Sequence, residues 1–266
     1  MQNLLVIIIL TLVFQGLSWN QAFDLLEDQL AQINNQPERL KQLTENKLVQ
    51  ENIIKKIPAE LDLEVPFVPQ APLADWSMPY QEACEEAALI QTKYYFSDQK
   101  LTAEKMVQEI SQIVDWEKQK FGLYTDTALS EVKVMAEEYF NLATEIMENP
   151  SVENVKANLN QGNLILVPTA GQALGNPYFS GAGPLYHFVV IRGYTGNQFI
   201  VNDVGTKRGE AYRYDYDLLL RANHDLSKNP DGSWFRPYDS QTDDQTKHKK
   251  MLQGVARMLV VKGLKK

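Results

Sequence analysis

The chain has 266 residues, of which 44% are hydrophobic and 23% charged, enough apolar side chains to bury a sizeable core without covalent help. Twenty-six Lys and Arg stand against 34 Asp and Glu, and the resulting charge of -8 repels phosphate and excludes a nucleic-acid partner. A single cysteine, Cys84, excludes an intrachain disulfide and a multi-cysteine zinc site, and three scattered histidines give no metal-ligand spacing, so no cofactor and no metal are expected.

Residues 4–14 (LLVIIILTLVF) form an apolar run too short for a bilayer-spanning helix, which needs about 20 residues, but of the size of a signal-peptide core. Gly16 and Ser18 fit a small-x-small cleavage site, whereas the first basic residue is Arg39, far downstream of where a secretory signal carries its positive charge. The reading is that residues 1–18 are a signal peptide or N-terminal anchor. The chain is then extracytoplasmic, secreted or membrane-attached through residues 4–17; a buried N-terminal helix is the bland alternative. Residues 19–62 read as a helical stalk or prefix, because Phe23, Leu26, Leu30, Ile33, Leu40 and Leu43 recur at helical spacing with a break at Pro37.

A domain is expected over 63–266. Its first stretch, VPFVPQAPLADWSMPY (65–80), is rich in proline and aromatics and favours extended chain. From Glu82 to about Tyr95 the pattern is helical, with Ala83, Ala87, Ile90 and Tyr94 on one stripe and Cys84 in the first turn. Residues 102–147 read as further helices interrupted near Gly122; Asn149-Pro150-Ser151 then marks a boundary before a helix ending at Gly162. Short β-branched and aromatic runs at 163–168, 186–194, 198–204 and 256–263 read as strands, with a glycine-rich surface loop over 171–184. The plan is α+β, a helical half followed by an antiparallel sheet.

Cys84 at a helix N-terminus gains from unpaired amides and the positive dipole end, which favour a thiolate. Glu82, Glu85 and Glu86 oppose it, so a cationic partner is required. His187 and Asp203 lie on consecutive strands joined by a turn at 194–197; with Gly193 opposite Asn197, His187 falls opposite Asp203, and a slip of one or two residues leaves them neighbours. Taken singly, each residue has a plain structural reading: a buried cysteine, a strand histidine, an aspartate that begins a turn. The three together can make a nucleophile, a base and a group that orients the base. His224, in a surface turn, and His248, in the solvated run KHKK, are set aside as catalytic, and Trp76 and Tyr80 read as core aromatics that can also line a cleft.

Four segments in this order, VPFVPQAP, PYQEACEEAAL, GPLYHFVVIRGY and VNDVGTKRG, resemble papain-fold cysteine peptidases of the double-glycine, bacteriocin-processing peptidase-like group, over about residues 63–263. The resemblance implies a papain-like cysteine peptidase fold, with a helical half carrying the cysteine packed on an antiparallel sheet carrying His and Asp. It implies Cys84 as nucleophile, His187 as general base and acid, Asp203 as the residue orienting the imidazole and Gln70 as the oxyanion-hole glutamine. Two positions depart from the common pattern: Met78 stands six before the cysteine, where papain-like enzymes often place the glutamine, leaving Gln70 at fourteen and Gln81 at three, and Glu85 stands where many members have glycine. The expected function is a cysteine peptidase that cuts a peptide or related amide bond through a thioester acyl-enzyme, with a peptide or protein substrate, cleft walls from 65–79 and 171–184, and an oligomeric state left open. The alternatives are transglutaminase-like acyl transfer, hydrolysis of cell-wall peptides, and a catalytically inactive peptide-binding module.

Overall fold

The computed structural model describes residues 57–265, so the expectations for residues 1–18 and for most of the 19–62 prefix lie outside the described residues. The described chain runs β1 (Glu60–Asp62), α1 (Cys84–Phe96), α2 (Ala103–Phe121), α3 (Leu129–Val134), β2 (Leu142–Glu148), α4 (Val152–Leu159), β3 (Leu164–Ala170), β4 (Tyr186–Thr195), β5 (Gln198–Asp203), β6 (Tyr212–Asp215), α5 (Tyr216–Ala222), α6 (Asp244–Met251) and β7 (Arg257–Leu264). The strands form one antiparallel sheet in the order β2-β7-β3-β4-β5-β6, with β1 also paired to β4. No helix among the described residues is long and apolar enough to cross a membrane.

Alternation along the central strands divides the core between two faces, as a strand period of two requires. Leu164, Leu166, Phe188, Val190, Leu259 and Val261 point to the face covered by α1, α2 and α3. Ile165, Val167, Val189, Ile191, Val201 and Val260 point to the other, covered by α4 and α5. Because both faces are buried, the centres of β3 (164–167) and β4 (188–191) are unbroken apolar runs that mark the strands in the sequence, and the strands extend past the expected 163–168 and 186–194 to Ala170 and Thr195.

The helices end where local chemistry stops them. Thr102 caps α2 by accepting from Lys105 N, and Gly122 closes it in the left-handed region at φ 78°. Ser151 caps α4 by accepting from Asn154 N. In α1 the expected single stripe is replaced by burial of every residue from Cys84 to Thr92, since the helix is enclosed between the sheet and α2.

Four further expectations are corrected. The segment 142–148, expected as helix, is edge strand β2; its Ala, Thr, Glu and Met carry weak local preference, and pairing with β7 more than a hundred residues away decides its state. The prefix expected to run to residue 62 gives way earlier, since β1 already pairs with β4 and Arg192 Nε donates to Asp62 Oδ1 at 2.7 Å. The hairpin turns on Gly196-Asn197, with Thr195 opposite Gln198, and a bulge between Ile191 and Gly193 brings Val189, not His187, opposite Asp203. His187 lies opposite Thr169 of β3. The run Asn223-His224-Asp225 is no surface turn: Asn223 and Asp225 are fully buried, Asn223 bridges to β3, and His224 N donates to Pro168 O. Its polarity is consumed internally, as Asp225 Oδ1 accepts from Leu129 N, Leu226 N and the Tyr186 hydroxyl, while Oδ2 pairs with Arg257.

Candidate active site

Cys84 is the first residue of α1, where its backbone N–H has no helical acceptor, and it is 7% exposed. The extended segment before it is tied down from both sides. Gln91 of α1 donates to Val68 O, Gln70 N donates to Val204 O beyond β5, and Gln70 Nε2 donates to Tyr80 O and Gln81 O. Helix, proline-rich segment and sheet edge therefore meet at one place.

His187, near the start of β4, is 2% exposed, and its Nε2 lies 2.8 Å from Oδ1 of the fully buried Asp203, the last residue of β5. A two-residue offset in register keeps both on the same face, so the ring reaches along the strands to the carboxylate. Asp203 also accepts from Gly205 N through Oδ1, and from the Tyr214 hydroxyl and Asn176 Nδ2 through Oδ2. Burial works against its charge, but His187, Tyr214 and Asn176 outweigh that and hold the carboxyl below its ordinary range. With Asp203 facing Nε2, the other ring nitrogen, Nδ1, is left for a further partner.

Two glycines fit the imidazole closely. A Cβ on Gly205 would sit 2.8 Å from His187 Cε1, and one on Gly171 would meet Pro184 O at 2.6 Å and His187 Cβ at 3.0 Å. Phe179 packs edge-on to the ring with centroids 5.3 Å apart. Loop 171–184 thus shapes the site as well as bordering it.

Cys84, His187 and Gln70 line one cavity of about 700 Å³, within the range of ligand clefts. Its walls include Trp76 from the proline-rich segment and Phe179 from the glycine-rich loop; Tyr80 packs instead against the core. Asp203 stands behind His187, outside the lining.

The helix side is charged quite differently. Cys84 Sγ is hydrogen-bonded to Glu85 Oε2 at 2.9 Å, and Glu85 Oε1 accepts from Thr127 N at 2.7 Å. Burial, together with Glu85, Glu86 and Glu82, pushes the Cys84 thiol well above its ordinary value. Glu85 and Glu86 are pushed up in the same way, by burial first and by neighbouring carboxyls second. Burial also raises Glu117 of α2 to about 9, Glu82 to about 8 and Asp126 to about 6. Among the described residues none of the four carboxyl oxygens of Glu86 and Glu117 has a hydrogen-bond partner, and neither does Gln70 Oε1.

The four residues singled out in the sequence are thus close-set, in unequal states. His187 and Asp203 are bonded; Cys84 faces Glu85; the Gln70 amide is held by the carbonyls of Tyr80 and Gln81, in the turn before α1, so to reach an oxyanion it must release one. No group of three or more His, Cys, Asp or Glu side chains among the described residues is arranged to hold a metal ion. His224 Nδ1 bonds to Gly254 O, and His248 lies on α6, both apart from this cavity's lining. Sequence reasoning missed Asn176, Tyr214 and Thr127. Asn176 lies in the glycine-rich loop, a position that marked the region; Tyr214 and Thr127 carried no local signal.

A family model described as the Peptidase_C39 like family matches residues 62–229. A search of curated proteins finds no match. Among solved structures the chain is similar to that of a proposed C39-like peptidase from Bacillus anthracis, at 13% identity over 77% of this chain and 98% of that one, with a TM-score of 0.44.

Proposed function

Since the chain belongs to the Peptidase_C39 like family, we propose that it is a cysteine peptidase whose nucleophile, base and orienting acid are Cys84, His187 and Asp203. The observation that carries this is the buried His187–Asp203 pair at 2.8 Å on the wall of the cavity that Cys84 also lines. His187 Nδ1 takes the thiol proton, and the sulfur attacks the carbonyl carbon of a bound peptide. The resulting oxyanion is held by the Cys84 N–H, free at the head of α1, with the Gln70 amide as second donor once it leaves a carbonyl. The imidazolium gives its proton to the leaving amine as the C–N bond breaks. Water, deprotonated by His187, then cleaves the thioester and restores the thiol. Asp203 keeps the ring oriented throughout and stabilises its charge.

A specific observation favours a second reading, a cleft that binds peptide without cutting it: Cys84 is bonded to Glu85, not His187, and its thiol is pushed up. The test is incubation of the full chain with a mixture of unstructured peptides and cell-wall peptides, followed by mass spectrometry. New termini that vanish in Cys84→Ala support the peptidase; peptide retention without new termini supports the binding module; products joined to an added amine in place of water support acyl transfer. An extracytoplasmic location through residues 4–17 belongs to the same proposal, and cell fractionation tests it.

A further inference from the structure

Resting on the peptidase reading, we propose that Glu85 is a further catalytic group: as the neutral carboxylic acid, it donates its Oε2 proton in a hydrogen bond to the Cys84 thiolate. The two oxygens of Glu85 are told apart by their partners. Oε1 accepts the Thr127 N–H at 2.7 Å, the role of a carbonyl oxygen, which leaves Oε2, 2.9 Å from Sγ, as the oxygen that carries the proton. Glu85 is 1% exposed and Thr127 fully buried, so little water reaches the Thr127 contact, while the Cys84 contact lies on the cavity wall.

The surroundings keep this acid neutral. Glu86 faces it from its own helix, Glu117 from α2, Asp126 from the segment before α3, and Tyr186 from β4, while the cations of this wall act on its neighbours, Lys118 on Glu117 and Arg236 and Lys247 on Asp126. An ionised Glu85 would sit nearly buried among these carboxyls; a protonated one removes a charge and adds a donor. In the resting site the thiol donates to Oε2. When that proton moves to His187, the O–H of Glu85 turns to the sulfur, the acid itself unchanged in proton count. A neutral Glu85 thus gives the thiolate a donor where an ionised one would repel it, a repulsion His187 alone would have to overcome.

The test is the pH dependence of iodoacetamide labelling in the full chain, whose one cysteine makes the adduct mass report Cys84 alone. Glu85→Gln is nearly isosteric: its oxygen accepts from Thr127 and its amide donates to sulfur. Glu85→Ala has no donor. The labelling midpoint should be higher in Glu85→Ala than in Glu85→Gln by about one unit or more, a tenfold loss of thiolate below both midpoints. If both variants fall below the wild type, Glu85 is ionised; if all three coincide, it is a spectator; either result overturns the proposal. Should Glu85→Ala not fold, as a urea transition reports, Glu85→Gln alone decides, because a midpoint a unit below the wild type means that a negative charge was removed. His187→Ala separates the two levels: a wild-type midpoint indifferent to His187 sinks the peptidase reading, whatever Glu85 does.

Discussion

The two walls of the cleft are built on opposite electrostatic plans. On the sheet wall a charged Asp203 is wrapped by His187, Tyr214, Asn176 and Gly205 N, every lone-pair direction engaged. On the helix wall Glu82, Glu85, Glu86, Glu117 and Asp126 crowd the first turn of α1 and the segment before α3 without a matching set of cations. The difference teaches that burial alone does not decide protonation. Donors converge on Asp203 and hold it low, while Glu86 and Glu117, equally buried, meet no such donors and are pushed up by burial.

Breaking the sheet wall should have the largest effect. Asp203→Ala leaves the Tyr214 hydroxyl and the His187 N–H buried without an acceptor, and the Asn176 amide with the Tyr214 oxygen alone. Urea unfolding should report a loss of about 3–5 kcal/mol, as for one partner removed from a buried pair. A loss under about 1 kcal/mol would mean that the network is not held as described.

Gly205→Ala sharpens the comparison by moving the ring without touching a charge. The new Cβ would lie 2.8 Å from His187 Cε1, 3.1 Å from its Nε2 and 3.1 Å from Phe179 Cε1, closer than the imidazole can accept without shifting. Cleavage should fall about a hundredfold, the scale of a 1 Å misplacement, in steady-state assays on whatever peptide the mixture reveals. Unchanged kcat/KM would show that the ring has room the structure denies it.

On the helix wall the expected effect depends on pH. Glu117 holds its proton to about 9 in the fold, against an ordinary 4.5, so the folded state binds a proton that the unfolded chain has lost. That contribution is complete below pH about 4.5 and disappears as pH rises through about 9; Glu82, near 8, and Asp126, near 6, act with the same sign. Asp203 acts oppositely, its contribution being lost as pH falls through its depressed value. Thermal unfolding should therefore show a lower Tm at pH 9 than at pH 5, and Glu117→Gln should raise the pH 9 value while changing the pH 5 value little. A wild-type profile flat from pH 5 to 9 would rule this out.

The sheet wall was the more legible in the sequence, for a geometric reason. The turn lies three positions off the constant sum used to pair His187 with Asp203, and the bulge at Arg192 takes back one, so the net slip is two residues, which preserves the face. Gly193 marked the irregularity: a Cβ there would lie 2.1 Å from Leu61 O of β1, a long-range contact invisible to local pattern. Strand β2 was hidden because its partner β7 is remote, and Asn223–Asp225 because polar residues look the same whether water or backbone satisfies them. The glutamates after Cys84 were visible as charges, but α1 is buried all round and so carries no polar stripe to reveal that they face inward. Gln70 was placed at the cleft by resemblance, and its hold on Tyr80 O and Gln81 O could not be foreseen from spacing.

The central claim is that the two walls act as one unit, with the sheet's imidazole drawing the proton from the helix's thiol. It is tested most directly by the pH dependence of Cys84 alkylation in the wild type and in His187→Ala. The account predicts a wild-type midpoint well below about 8.5 that rises when His187 is removed, despite the carboxyls that push the thiol up. A midpoint at or above about 8.5 in both proteins would contradict it and leave a papain-like cleft that binds peptide and does not cut it.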